Sequence, residues 1–194
     1  MKSAIIPDKE KLGEFKILDS GFSTESTGYY YLSMSAYASG YCGPASGVSI
    51  GRYYRDVVGY SNIYGYDPTL YGQLYININC AYWSGATLPT NYASGYEETM
   101  ENCGYYNFNG VNDAYVTMSD YWTVVSNINS GHPTALMLTS EWHWRAIRGY
   151  DYDTDWGYHN IICTYSQNGA SWEFLDWEGV VVDDLYAYTT CIQD

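Results

Sequence analysis

Basic residues are scarce in this chain, and so is charge of either sign. Eight Lys and Arg stand against 22 Asp and Glu, a formal net charge of -14 with a pI near 4.3. Nucleic acids and anionic membrane surfaces both demand a basic footprint, so neither is an expected partner. No apolar run approaches the roughly 20 residues of a membrane span, and Met1–Ser20 is too polar for a signal peptide. That leaves a cytoplasmic chain or one whose leader has been removed. Few Lys and strong acidity favour the second, an exported bacterial protein in an extracellular or cell-surface setting. Also missing are a glycine-rich phosphate loop, a cysteine pair at metal-finger spacing, an internal repeat and a low-complexity tract. No cofactor and no metal are therefore expected. Histidine is limited to His132, His143 and His159, so any chemistry that needs an imidazole has three candidates.

What is abundant is tyrosine. Charged residues make up 15% of the chain while aromatics reach 19%, with 25 Tyr. Much of the polar surface should then be carried by Tyr, Ser, Asn and Thr, a surface suited to carbohydrate or peptide contact. At 194 residues the chain fits one domain with a substantial core. Its cysteines are Cys42, Cys80, Cys103, Cys163 and Cys191. The odd count fits one reactive thiol with up to two disulfides, and equally five reduced thiols.

The segment 1–27 is charged and then rich in Ser, Thr and Gly, without periodicity, and reads as an arm. Residues 28–194 read as the folded domain, mainly helical over 28–131 and mainly β over 132–194. An extended aromatic stretch leads to Cys42. A helix follows as far as Val58, and a second opens at Asp67-Pro68 with Leu70, Tyr71, Leu74, Tyr75 and Ile78 at helical spacing. A third is expected around Gly95–Cys103, after a loop through Gly85 and Pro89, and a fourth from Ser119-Asp120 to Gly131. Then come short β-type runs at 133–139, 143–152, 159–165 and 171–177, with one more possible within 179–190. Helices first and antiparallel strands afterwards indicate an α+β domain with a cleft between a helical lobe and a sheet lobe.

One stretch organises the rest. Tyr41-Cys42-Gly43-Pro44-Ala45-Ser46-Gly47 sets a cysteine directly before a Gly-Pro pair, with Pro in the first helical turn where its fixed φ is an advantage. A thiol at that place faces unpaired backbone N–H groups and the positive end of the helix dipole, and both favour the thiolate. The small residues Ala45, Gly47, Ser49 and Gly51 fit a helix that something packs against closely, as a sheet would. Taken alone, the tripeptide also describes a half-cystine ahead of a turn.

A nucleophilic cysteine needs a base and a group that orients the base. His132, before Pro133 at a helix-to-strand junction, has a loop or capping role. His143 and His159 both open strands, and His143 is the favoured base because the run His-Trp-Arg-Ala-Ile-Arg-Gly-Tyr-Asp starts with it. Cys-Gly-Pro-Ala-Ser opening a helix, with Gly-His-Pro-Thr-Ala-Leu-Met-Leu and that His-Trp strand far downstream, resembles the papain-like cysteine peptidases. Within them it is most similar to the bacterial branch that includes the double-glycine leader (bacteriocin-processing) peptidases and their secreted relatives. The likeness is confined to these two motifs and their order.

The resemblance implies a papain-like fold, a helical lobe headed by the nucleophile helix and packed on an antiparallel sheet lobe. It implies Cys42 as nucleophile, His143 as base, a peptide or protein substrate and no cofactor. The third family member, an Asp or Asn at the end of a following strand, falls on Asp176 in Leu-Asp-Trp-Glu-Gly, with Asn160 as the alternative. The family's Gln ahead of the cysteine is absent: Met34–Ser39 holds no Gln or Asn, and Ser35 or Ser39 would have to substitute. Trp142, Trp144 and nearby tyrosines could line substrate subsites or pack the sheet edge. The functions in view are thus a thiol peptidase, a non-catalytic papain-like binding or structural module, and a transglutaminase-like acyl transferase using the same dyad.

Overall fold

Three of the four α-helices among the described residues begin where proline sits in the first turn. The structure, a computed structural model, describes residues 27–81, 84–114, 117–138, 141–164, 171–181 and 185–193. Helix α1 (Cys42–Arg52) carries Pro44, runs on as a π-helical segment Tyr53–Val58 and is stopped at Gly59, φ 92°. Helices α2 (Asp67–Asn77) and α3 (Pro89–Asn102) each follow an extended residue and open on Pro68 or Pro89. Helix α4 (Met118–Asn129) starts from a reciprocal Thr117–Asp120 capping box. The third helix begins earlier than its sequence expectation. Its apolar stripe, Tyr92, Tyr96 and Met100, is fully buried and largely made of tyrosine. The expected arm 1–27 lies outside the described residues except for Thr27.

Among the described residues all strands join one antiparallel sheet: β1 (Thr27–Tyr31), β2 (Phe108–Ala114), β3 (Thr134–Leu138), β4 (His143–Asp153), β5 (Tyr158–Thr164), β6 (Trp172–Asp176) and β7 (Leu185–Gln193). The order is β2-β7-β3-β4-β5-β6. Strand β4 is the hub. Its first half pairs with β3, and its second half pairs with β5 on one edge and with β1 on the other, in line with β3. Thus β1 and β2, which come from the largely helical part of the chain, are built into the same sheet as the C-terminal strands. The architecture is α+β, and among the described residues no helix is long and apolar enough to cross a membrane.

Tyrosine serves the surface, as composition implied, at Tyr29, Tyr41, Tyr66, Tyr106 and Tyr158, and it also builds the core. Tyr30, Tyr53, Tyr54, Tyr92, Tyr96, Tyr121, Tyr150 and Tyr152 are all buried, in one core with Val48, Leu70, Leu74, Ile78, Leu136 and Ile147. Their rings meet edge to face or stacked, as in the Tyr54–Phe108 and Tyr60–Tyr105 pairs. Asp67, the first residue of α2, fastens that helix to α1: Arg52 Nε donates to Oδ2 and Arg55 Nη1 to Oδ1, each at 3.0 Å.

Candidate active site

Helix α1 is buried from Gly43 to Gly51, which its small residues allow. The expected sheet packs against the helix through β4 and β3, and α2 approaches its glycines from another side. A Cβ at Gly47 would lie 2.9 Å from Leu74 Cδ1, and one at Gly51 would lie 2.7 Å from Leu70 Cδ2. At the helix start, a Cβ on Gly43 would meet Thr87 Oγ1 at 3.0 Å. The segment leading in is pinned by Arg52 Nη1 on the Ala36 carbonyl (2.8 Å), by Tyr37 N–H on Ser49 Oγ (2.9 Å) and by Tyr41 N–H on the Tyr71 hydroxyl (2.7 Å).

The two motifs, far apart in sequence, meet here. The backbone N–H groups of Trp144, Gly43 and Cys42 itself lie near enough to the Cys42 thiol to pull it down. Trp144 is the second residue of β4 and follows His143 directly. Its ring is locked from the other side, stacked on Tyr92 of α3 at 4.1 Å, with Nε1 donating to the Thr87 carbonyl at 3.0 Å. Tyr92 in turn shares a 2.9 Å hydrogen bond with Ser46 of α1. Trp144 therefore packs in the structure, and its role is to hold the head of β4 against the head of α1.

The helix start supplies the donors that were expected, but their effect is outweighed. Cys42 is half-buried, and loss of solvent pushes its thiol up against the opposing pull of the three N–H groups. His143 is also half-buried. Burial pulls its imidazole down, Arg145 adds to that, and Glu141 acts the other way. Both shifts favour neutral forms, a thiol at Cys42 and a neutral imidazole at His143. The thiolate–imidazolium pair is then a state to be reached by proton transfer.

Asp176 is not brought to His143. It ends β6, pairs with Asn160 of β5, and Asn160 pairs with Asp151 of β4. The stretch of β4 from His143 to Asp151 spans roughly 25 Å at the usual strand rise, and Asn160 is equally remote. In an antiparallel meander the end of β6 lies with the end of β4, whereas His143 is at its start. Asp176 instead closes a turn, its carboxylate accepting from the N–H groups of Glu178 (3.3 Å) and Gly179 (3.2 Å). His159, opposite Tyr152, is at that same distant end. It is buried among Tyr121, Trp122 and Tyr152, with Nδ1 3.1 Å from Glu178 but off the direction of a hydrogen bond. His132 follows Gly131, φ 81°, at the end of α4, and its N–H bonds the Asn127 carbonyl at 2.8 Å.

Ser35 and Ser39, the possible replacements for the absent Gln, are both exposed. Cys42, Cys80, Cys103 and Cys163 are free thiols, and the Cys191 side chain lies outside the described residues. Among the described residues no cluster of His, Cys, Asp and Glu could hold a metal ion. Sequence reasoning missed the charged pair that flanks the base, Glu141 and Arg145, joined at 2.7 Å; their i, i+4 placement around His143 was the available signal. Comparison with known proteins finds no match to a family model, to a curated protein or to a solved structure.

Proposed function

We propose that this chain is a papain-like cysteine peptidase with Cys42 as nucleophile and His143 as base. The observation that supports the reading is the packing of Trp144, the residue after the base, beside the head of the buried helix that Cys42 opens, through Thr87 against Gly43 and Tyr92 against Ser46. In the reaction the Cys42 proton passes to the His143 imidazole while sulfur bonds the scissile carbonyl carbon. The C–N bond then breaks as the imidazolium returns the proton to the amine, leaving a thioester on Cys42. Water, deprotonated by His143, hydrolyses that thioester and frees the thiol. Donors to the developing oxyanion come from backbone N–H groups at the helix start. Without the side-chain donor, turnover is slower by about 100- to 1000-fold than with it. An acidic chain of this charge favours neutral or cationic peptides.

The test is hydrolysis of a fluorogenic peptide library by wild type and Cys42→Ala, with products identified by mass. Cleavage lost in the variant supports the peptidase, and amide products formed with added amine mark acyl transfer instead. A second reading, a non-catalytic module on this scaffold, is favoured by the remoteness of Asp176 and the missing Gln. Absence of any cleavage, with a Cys42 thiol no more reactive than a free cysteine, selects that reading.

A further inference from the structure

Arg145, two residues beyond His143 in β4, is only 2% exposed. Its guanidinium is shared by two carboxylates: Nη2 donates to Glu141 at 2.7 Å and Nη1 is paired with Glu173 of β6, with Cys163 Sγ also 3.8 Å from Nη1. A buried guanidinium cannot be left without countercharge, so Glu141 is anchored although its side chain is 42% exposed. Between Glu141 and His143 stands only Trp142, at φ 47°. Left-handed backbone is unfavourable for a bulky residue and persists where its surroundings hold it. The Arg145 anchor on one side of Trp142 and the β3 pairing of His143 with Leu138 on the other hold it here.

Successive strand side chains alternate, so His143 and Arg145 share one side of β4, and Glu141 is drawn to that side by its ion pair. The charged groups that bear on His143 are thus Arg145 on its own strand and Glu141 in the preceding turn, while Cys42 of α1 lies near the backbone of the next residue, Trp144. Glu173 acts only through Arg145. We propose that Glu141, anchored by the buried Arg145, is the positioning carboxylate of the dyad: it fixes the turn that aims His143 and supplies countercharge as His143 takes the Cys42 proton. This rests on the Cys42–His143 reading above and gives Glu141 the task that Asp176 and Asn160 are too distant to perform. Burial and then Arg145 pull the imidazole down, and Glu141 is the group that opposes them.

The experiment is the pH dependence of Cys42 alkylation by iodoacetamide in wild type, Glu141→Gln, Glu141→Asp and His143→Ala, each checked by thermal melting. Glu173 still pairs with Arg145 in Glu141→Gln, so the fold is retained. Losing the countercharge lowers the neutral-pH rate about three- to tenfold, the equivalent of half to one pKa unit, and moves the acid limb to lower pH. Glu141→Asp gives an intermediate shift and carries the test by itself if the Gln variant does not fold. An unmoved limb and rate, with His143→Ala still slow, overturns the positioning role and leaves the dyad standing. A uniform loss at every pH, with a lower melting temperature and an unmoved limb, assigns Glu141 to structure alone and also overturns it. Equal labelling of His143→Ala and wild type removes the dyad itself.

Discussion

Replacing Gly95 by Ala sets a single methyl against the backbone of α2. A Cβ on Gly95 would lie 2.4 Å from the carbonyl carbon and oxygen of Asn77 and 2.5 Å from the Ile78 nitrogen. Non-bonded carbons rest at about 3.5–4.0 Å, so α2 and α3 must part by roughly 1 Å, and backbone has no rotamer with which to yield. Parting them loosens Ile78, Tyr92 and Tyr96, all fully buried, and shifts the start of α3 beneath Thr87 and Trp144. Ala gains about 1 kcal/mol over Gly in a helix, while overpacking costs about 1–3 kcal/mol and more where the neighbour is rigid. The expected net loss is about 2 kcal/mol, or about 4–8 °C in Tm for a chain of this size. Two controls share the chemistry. Gly72→Ala, where nothing lies within 4 Å, gains up to about 1 kcal/mol. Gly47→Ala presses on the tips of Leu74, with the Tyr92 hydroxyl at an ordinary 3.5 Å, and stays within about 1 kcal/mol of wild type. Calorimetric melting of the three variants decides it, and a Gly95→Ala protein that melts with or above wild type refutes the helix crossing.

Asp176→Ala loses only a turn cap, about 1 kcal/mol in melting experiments, and leaves Cys42 alkylation unchanged; slowed alkylation would restore Asp176 to the dyad. Asp67→Asn removes the anion between Arg52 and Arg55 and costs about 2 kcal/mol by urea unfolding near neutral pH. In wild type, Arg52 first and Arg55 next hold the Asp67 carboxyl below its usual range. The stability this carboxylate contributes is therefore complete above the ordinary Asp value and is lost as pH falls through the depressed one. Urea midpoints measured from neutral into acid pH should converge for Asp67→Asn and wild type at the acid end, and parallel curves would contradict the ion triad. The peptide-hydrolysis profile should keep its acid limb below the ordinary His value near 6.5, because His143 must be neutral to act as base and is held neutral further into acid.

Proline and cap chemistry made α1, α2 and α4 legible from sequence, because these signals are local. The start of α3 was hidden because its buried stripe is Tyr92 and Tyr96, residues composition had assigned to the surface. Strand β2 was invisible for another reason. Phe-Asn-Gly-Val-Asn-Asp-Ala has little intrinsic strand preference, and it is extended because it pairs along its whole length with β7, the last strand of the chain. Gly110 within it is imposed from outside, since a Cβ there would lie 2.3 Å from the Ala93 carbonyl oxygen of α3. At the site, the convergence of the Cys42 and His143 segments followed from motif order. The third residue did not, because a string such as Leu-Asp-Trp-Glu-Gly carries no register. Counting strand direction excludes it: with β5 between them, β4 and β6 run the same way, so a partner for the first residue of β4 comes from the end of β5 or the start of β6.

A Cys42–His143 dyad requires that His143 govern the proton of Cys42. Among the described cysteines, Cys80, Cys103 and Cys163 are buried with thiols pushed up, Cys163 to about 11, which leaves Cys42 as the one open to reagent. The measurement is iodoacetamide labelling of Cys42 against pH, read by peptide mass spectrometry in wild type and His143→Ala. The wild-type rate should hold a plateau into mildly acid pH and be about tenfold or more faster at neutrality than the variant. The variant labels only as the bare thiol ionises, above the ordinary thiol range because burial pushes Cys42 up. Superimposable profiles would contradict the dyad, and the convergence of the two motifs would then be a feature of the scaffold alone.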